Sequence, residues 1–311
     1  MVQFKTLPPL DQLRPFSQAA TIIISVTDSS GAPIEKGWVQ IRLDAPKPGW
    51  FFSTDFPFVE GSHLLDMRLP LRRGRVQWQY LFPIRGQYLM TVEAVTAHDR
   101  KTDKTFRMAI TENERKWMFL GLFTLGLFFF GFFAGRLFTS SKLVSKKNVA
   151  LYLSLSSIGV IYWQAAGFAQ EGKREQNAAR LEINAPRVGE LSRIRWSLAA
   201  LTEGKRQVVN LSLRIIHLEK GKTVFALEKL PVAGELSLDF QFPDGDEYRV
   251  EAIADLNGQE LIRSEETIAV NGIEPPASAT IPAIVLFLAV ISLGLWTGRW
   301  SRRATTSSLS A

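Results

Sequence analysis

The chain reads as two all-β sandwich domains plus three transmembrane α-helices, arranged as a duplicated β-domain–helix unit. Three observations predict this. Three long apolar runs divide the 311 residues. Before the first and the third lies a stretch of roughly 100 residues, a domain's worth of short alternating runs. Those two apolar runs also close alike, as Gly131-Phe-Phe-Ala-Gly135-Arg136 and Gly294-Leu-Trp-Thr-Gly298-Arg299.

Residues 1–18, with Pro8, Pro9 and Pro15, read as an irregular lead-in. The first sandwich is expected over 19–112, with strands at Thr21–Thr27, Trp38–Asp44, His63–Leu69, Arg75–Phe82, Tyr88–Ala97 and Thr105–Ile110. Arg75 to Tyr80 alternates strictly. Val76, Trp78 and Tyr80 share one face, so this strand is half-buried and antiparallel. The first span is expected over 116–138 and carries eight Phe from Trp117 to Phe138. A short loop, 139–148, leads to a second span at 149–169, which has no charge at all. About 18 to 20 apolar residues cross the hydrocarbon core of a bilayer. A buried soluble helix is the competing reading of any one run.

The second sandwich is expected over 175–271. Its strands are Arg180–Asn184, Leu191–Leu201, Val208–Glu219, Thr223–Glu228, Glu235–Phe242, Tyr248–Asp255 and Glu260–Val270. Asn257-Gly258 between the last two is a strong hairpin signal. A stiff linker, 272–279, with Pro275 and Pro276, leads to a third span at 280–298 and a tail at 299–311.

The net charge is +7, but it is unevenly placed. Residues 1–112 hold 14 basic and 11 acidic side chains, and 171–274 hold 14 and 18. The remainder hold 9 basic residues and 1 acid. The excess flanks the apolar runs, which points to membrane orientation and away from nucleic acid. Arg136, Lys142, Lys146 and Lys147 follow the first run; Arg299, Arg302 and Arg303 follow the third. Both segments are assigned to the cytoplasm by the positive-inside bias. The β domains then face the periplasm or lumen of an inner or thylakoid membrane, with the C-terminus cytoplasmic. Arg115 and Lys116 on the outer flank run against this. No basic n-region with an apolar h-region opens the chain, so an upstream helix or signal, or direct translocation, is expected for the first domain. There is no cysteine, which excludes a disulfide framework.

Phe82-Pro83-Ile-Arg-Gly-Gln-Tyr88 and Phe242-Pro243-Asp-Gly-Asp-Glu-Tyr248 match 160 positions apart. Tyr88 and Tyr248 each open a strand after a tight turn. This resembles the tyrosine corner of immunoglobulin-like and fibronectin-type sandwiches, in a form without the disulfide. The resemblance implies that each hydroxyl bonds back to upstream backbone. Residues 242–251 are similar to a segment of the YtkA-like and FixH-like families, membrane-anchored bacterial β-sandwiches linked to oxidase assembly or copper handling. No Met/His copper cluster accompanies it. Trp50-Phe-Phe-Ser-Thr-Asp-Phe-Pro57 resembles segments of uncharacterised membrane proteins of photosynthetic bacteria.

No catalytic constellation is evident. His63, His98 and His217 are the three histidines, and none pairs at metal-ligand spacing. Asp244, Asp246 and Glu247 form an acidic turn lacking the regular oxygens of a calcium loop. No nucleophile elbow or phosphate loop occurs. No enzyme, cofactor or metal is therefore expected. Two features are candidates for interaction. Gly131, Gly135, Gly294 and Gly298 make smooth helix faces, for packing within the chain or against another membrane protein. Trp50, Phe51, Phe52, Asp55, Phe56 and Phe58 lie in an aromatic segment without a counterpart in the second domain. It is either core or a partner-binding patch. The expected role is a membrane-anchored adaptor, scaffold or assembly factor whose partner is another integral membrane protein or complex. The alternative is a metal or small-ligand handling protein of YtkA-like type. The oligomeric state is left open.

Overall fold

The computed structural model describes residues 1–49, 52–96, 101–138, 179–198, 208–256, 258–274 and 276–307. In chain order the elements are β1 (Val2–Leu7), β2 (Ala20–Val26), β3 (Gly37–Asp44), β4 (His63–Pro70), β5 (Arg75–Tyr80), β6 (Gly86–Thr96), β7 (Lys101–Ile110) and α1 (Glu114–Phe138). There follow β8 (Ala179–Ile183), β9 (Leu191–Leu198), β10 (Val209–His217), β11 (Lys222–Val232), β12 (Glu235–Gln241), β13 (Glu247–Leu256), β14 (Gln259–Ala269) and α2 (Ala277–Ser307). The strands form one compact unit and the helices another.

The two β segments do not make two separate sandwiches. Their strands share two seven-stranded sheets, ordered β1-β2-β5-β11-β10-β13-β14 and β7-β6-β3-β4-β12-β9-β8. All pairings between them are antiparallel. Raising every strand number of the first half by seven reproduces the order of the second half. Each half is thus three strands (β1-β2-β5) facing four (β7-β6-β3-β4), the strand order of an immunoglobulin-like sandwich. The halves join edge to edge. β5 pairs with β11 through Tyr80↔Phe225, Gln79↔Ala226 and Trp78↔Leu227. β4 pairs with β12 through Leu65↔Phe240, Asp66↔Asp239 and Met67↔Leu238. These two joints are images of one another, since each partner recurs 160 positions on.

Alternation explains why the joint closes. Trp78, Tyr80, Phe225, Leu227, Leu65, Met67, Leu238 and Phe240 all point inward and are buried in one continuous core that includes both halves. Side chains of period two leave no polar face inside. Edge strands β4 and β5 would otherwise present unpaired N–H and C=O groups beside that apolar face, and pairing satisfies both needs. On the outer face Asp66 and Asp239 stand directly opposite, a like-charge pair that costs stability. Arg42 lies 3.3 Å from Asp66 and Arg193 lies 2.9 Å from Asp239, offsetting the repulsion.

The lead-in is also more ordered than its prolines suggest. Val2–Leu7 is a strand, pairing with β2 from Val2↔Val26 to Leu7↔Thr21, with Val2 and Thr6 buried. A single 3-10 turn at Leu10–Gln12 follows, and Leu13 is buried behind it.

Among the described residues, two helices are long and apolar enough to span a membrane, Glu114–Leu137 and Ala279–Ser301. The expected span 280–298 falls within the second, and 116–138 matches the first except for its last residue. The expected second span, 149–169, and the loop 139–148 lie outside the described residues, as do Asn257 and His98. α1 and α2 run parallel. Phe123 stacks edge-on against Phe287 at 5.2 Å, Gly131 lies beside Ile291, and Gly135 beside Leu295, so position numbers rise together along both.

Because the halves share their core, the β unit should unfold as one. Phe240→Ala, at the joint, should cost about 3–5 kcal/mol and lower a single thermal transition of the whole β unit. Two transitions in a thermal scan of the full chain, only one of them shifted, would contradict a shared core.

Candidate functional site

A cluster of polar side chains lies where the turn after β10 meets the turn after β12. Burial alternates along β10, so Val209, Leu211, Leu213 and Ile215 point inward, and His217 continues the series at its end. His217 is fully buried. Its ring packs on Tyr248 at 4.8 Å and edge-on to Phe16 at 5.7 Å. The Lys220 backbone N–H donates to Nδ1 at 3.4 Å. That assigns the ring proton to Nε2, which donates to Asp244 at 3.1 Å. Asp246 lies 3.6 Å from the same nitrogen.

Asp244 is the hub. It accepts from His217, from Lys220 Nζ at 2.7 Å and from the Tyr248 hydroxyl. Burial pushes its carboxyl up, but the bonds from Lys220, Tyr248 and His217 outweigh that and hold it below its ordinary value. Glu219 is displaced the other way. Its hydrogen bond to Asp246, and the charge of that neighbour, raise it. Gly245, between the two aspartates, is required sterically, because a Cβ there would overlap Gly272.

The first half closes over this cluster. Lys220 Nζ sits 4.3 Å from the Phe16 ring centroid and 5.4 Å from that of Phe56. Phe16, left-handed at φ 51°, donates its N–H to Phe82 and accepts from Lys222 Nζ at 2.6 Å. The aromatic segment lies in the β3–β4 connection. Ile215 stands 172 positions after Leu43, whereas their partners Val250 and Met90 are 160 apart. The first half therefore carries twelve more residues between β3 and β4 than the second carries between β10 and β11. Phe56 and Phe58 are half-buried against the core, and Phe56 stacks on Phe16 at 5.4 Å. Phe58 reaches the second half beside Gly189. Phe52 is half-buried, Asp55 is exposed, and Trp50 and Phe51 lie outside the described residues.

The two tyrosines occupy equivalent places with different partners. Tyr88 donates to the Ile84 carbonyl at 2.6 Å and accepts the Ile84 N–H at 3.0 Å. Tyr248 donates to the side chain of Asp244, the residue equivalent to Ile84, where upstream backbone was expected. Both rings are buried, and burial raises both hydroxyls. The four glycines lie between α1 and α2. A Cβ on Gly131, Gly135, Gly294 or Gly298 would overlap the carbonyl oxygen of Ile291, Leu295, Phe128 or Phe132 respectively.

Sequence reasoning singled out the Asp244–Glu247 turn, weighed His217 and set it aside for want of a spaced partner, and missed Glu219 and Lys220. The inward position of that histidine at a strand end was the one signal of the cluster. His217, Glu219 and Asp246 could each offer a ligand atom to a metal, all within 4.8 Å of one another. The Nδ1 contact works against this, since a metal on Nε2 would turn Nδ1–H toward a backbone donor.

No protein-family model matches the chain, and no curated protein matches it. The likeness of 242–251 to the YtkA-like and FixH-like families thus rests on those residues alone. Among solved structures the chain is similar to the fibronectin(III)-like modules of Clostridium thermocellum CbhA, at 9% identity, covering 86% of this chain and 94% of that one, with a TM-score of 0.21. It is also similar to invasin, a bacterial integrin-binding protein, at 9% identity, 88% and 40% coverage, and a TM-score of 0.25. Likeness at this level carries no inference about activity.

Two expectations follow. The lowered carboxyl of Asp244 contributes stability above its ordinary 3.8, which is lost as pH falls through the lower folded value. Asp244→Asn should cost about 2 kcal/mol near pH 7, and its thermal midpoint should fall less steeply than wild type below about pH 4. Parallel pH slopes would remove Asp244 as the hub. Gly294→Leu should separate the helices and abolish the disulfide otherwise formed between cysteines placed at Phe123 and Phe287. An undiminished disulfide would show that close glycine packing is dispensable.

Proposed function

We propose that this protein is a membrane-anchored adaptor or scaffold that holds a rigid β unit at the non-cytoplasmic face and binds another membrane protein or complex. The observation that carries it is one fused fourteen-strand unit whose chain continues into two long helices with exposed apolar surfaces. Side chains such as Phe119, Phe130, Leu137, Ile281 and Leu288 are more than half exposed, which suits lipid and not water. Parallel helices place Arg136 and Arg299 at the same end, which supports the positive-inside orientation with the C-terminus in the cytoplasm. The matched strand orders and joints support an internal duplication of a β-domain–helix unit. The interaction role itself is read from the sandwich fold. The reading assigns no enzymatic activity.

The outward part of the β3–β4 connection, with Phe52 and Asp55, is the surface we assign to the partner. Native gels of solubilised membranes should show the chain in a complex heavier than its own homo-oligomers. Phe52→Ala with Asp55→Arg should release it while leaving the thermal transition in place. A wild-type chain that runs only as itself would sink the adaptor reading. Cysteines at Ser145 and Glu260 should label from opposite sides of the membrane; labelling of Ser145 from outside would reverse the orientation.

The second reading is metal handling, favoured by His217, Glu219 and Asp246. Equilibrium dialysis against Zn²⁺ or Mn²⁺ separates the two. Stoichiometric binding abolished by Asp246→Asn with Glu219→Gln would favour it.

A further inference from the structure

The turn from β4 to β5 carries three arginines in four residues, Arg72-Arg73-Gly74-Arg75. Arg72 and Arg75 exchange both backbone hydrogen bonds, at 3.2 and 3.0 Å, which closes a two-residue turn. Both central residues are left-handed, Arg73 at φ 51° and Gly74 at φ 68°. Such a turn favours Asn-Gly or Asp-Gly, so Arg73 is held there against its own backbone preference. A Cβ on Gly74 would overlap the Val26 carbonyl and Pro33, so the turn is pinned by its glycine. All three arginines on it are exposed.

The fold does not ask for these charges. The equivalent turn of the second half, 160 positions on, is Val232-Ala233-Gly234-Glu235. The two glycine carbonyls play the same part, accepting the Val26 N–H at 2.7 Å and the Leu198 N–H at 2.9 Å. The glycine recurs and the arginines do not. Elsewhere the β unit neutralises its arginines: Arg42, Arg193, Arg195 and Arg249 pair with Asp66, Asp239, Glu235 and Glu265. At this turn Arg75 reaches the Gln77 side chain at 3.2 Å, and no carboxylate pairs with Arg72, Arg73 or Arg75 among the described residues. The adjoining β2–β3 connection does not supply one. Asp28 there is engaged by the Ser30 and Ala32 N–H groups. Lys36 adds a further cation, one residue before Gly37, whose carbonyl accepts the Leu71 N–H at 3.0 Å.

We propose that this arginine tip docks an acidic, carboxylate-bearing segment of the partner protein. The proposal rests on the adaptor reading above. Chemistry selects the occupant. A guanidinium fork matches a planar carboxylate two bonds at a time, and arginine is enriched at protein interfaces where lysine is depleted. The flanking apolar residues, Leu71 and Val76, are buried, so the tip has nothing to insert into a lipid surface. The turn has no aromatic ring to stack on a nucleic-acid base. The tip and the aromatic connection stand at opposite ends of β4, an eight-residue strand about 26 Å long. The partner therefore has two separate contacts on the first half.

The full chain, purified in detergent, is titrated with a labelled peptide alternating Glu and Gly, with its Gln–Gly counterpart as control. Binding is expected for the acidic peptide alone and should weaken as salt rises. Arg72→Gln with Arg75→Gln should weaken it several-fold. Lys5→Gln with Arg107→Gln, which removes the same charge from exposed sites on other strands, should leave it unchanged. Arg73→Asn suits a left-handed position, so it should keep the thermal midpoint while weakening binding, which an arginine of purely structural role would not do. On native gels of solubilised membranes, the heavy complex should dissociate at lower salt with Arg72→Gln and Arg75→Gln than in wild type. Equal loss from the two charge-matched variants, or a complex indifferent to the tip, would overturn the assignment and leave the adaptor reading standing. Tip-dependent binding to phosphatidylglycerol vesicles, with none to the acidic peptide, would overturn it in favour of a lipid contact. A wild-type chain that runs only as itself would remove the partner, and both readings with it.

Discussion

An unbroken row of aromatic rings through the joint holds the two halves together. Tyr88 meets Phe82 at 4.9 Å, Phe82 meets Tyr80 at 5.2 Å, and Tyr80 meets Phe240 at 6.4 Å across the joint. Phe240 then meets Phe242 at 5.2 Å, Phe242 meets Tyr248 at 4.8 Å, and Tyr248 meets His217 at 4.8 Å. Edge-on and tilted contacts of this kind add to the area each ring buries. The paired strands supply hydrogen bonds, but the joint is only three residue pairs long on each side. Burial of the rings is what makes separating the halves costly, since each would be left with an apolar edge in water.

The departures from symmetry gather at one end of this unit. Where the first half has Ile84 and Gly86 before its tyrosine, the second has Asp244 and Asp246. The hydroxyl of Tyr248 therefore meets a carboxylate, and the carboxylate recruits Lys220 and His217. A half-buried charge is stabilised by partners, and Asp244 has three. The longer β3–β4 connection of the first half supplies the cover, Phe56 over Phe16 and both over Lys220. The longer connection of the first half and the two aspartates of the second thus make this corner a clamp between the halves.

The helix pair obeys a different balance. On the membrane reading proposed above, lipid gives apolar side chains no reason to associate, so close backbone approach has to supply the attraction. Glycines at two successive turns on each helix permit it, and Phe129, Phe130 and Phe133 are left facing outward.

Much of this protein was legible in its sequence. Period-two alternation located thirteen of the fourteen strands, and apolar length located both described helices, because each signal is local. The paired Gly-x-x-x-Gly motifs marked the helix contact for the same reason: spacing of four fixes one helix face. β1 was hidden by the prolines around Pro8, which speak only for their own positions. The tertiary structure alone decided that the halves share sheets. Nothing in an alternating strand distinguishes an edge that faces solvent from one that pairs with a strand 145 to 175 residues away. It alone also brought His217, Lys220 and Asp244 together with Phe16 and Phe56, because burial of a charge and its partners is set by which turns meet, and those turns are far apart in the chain.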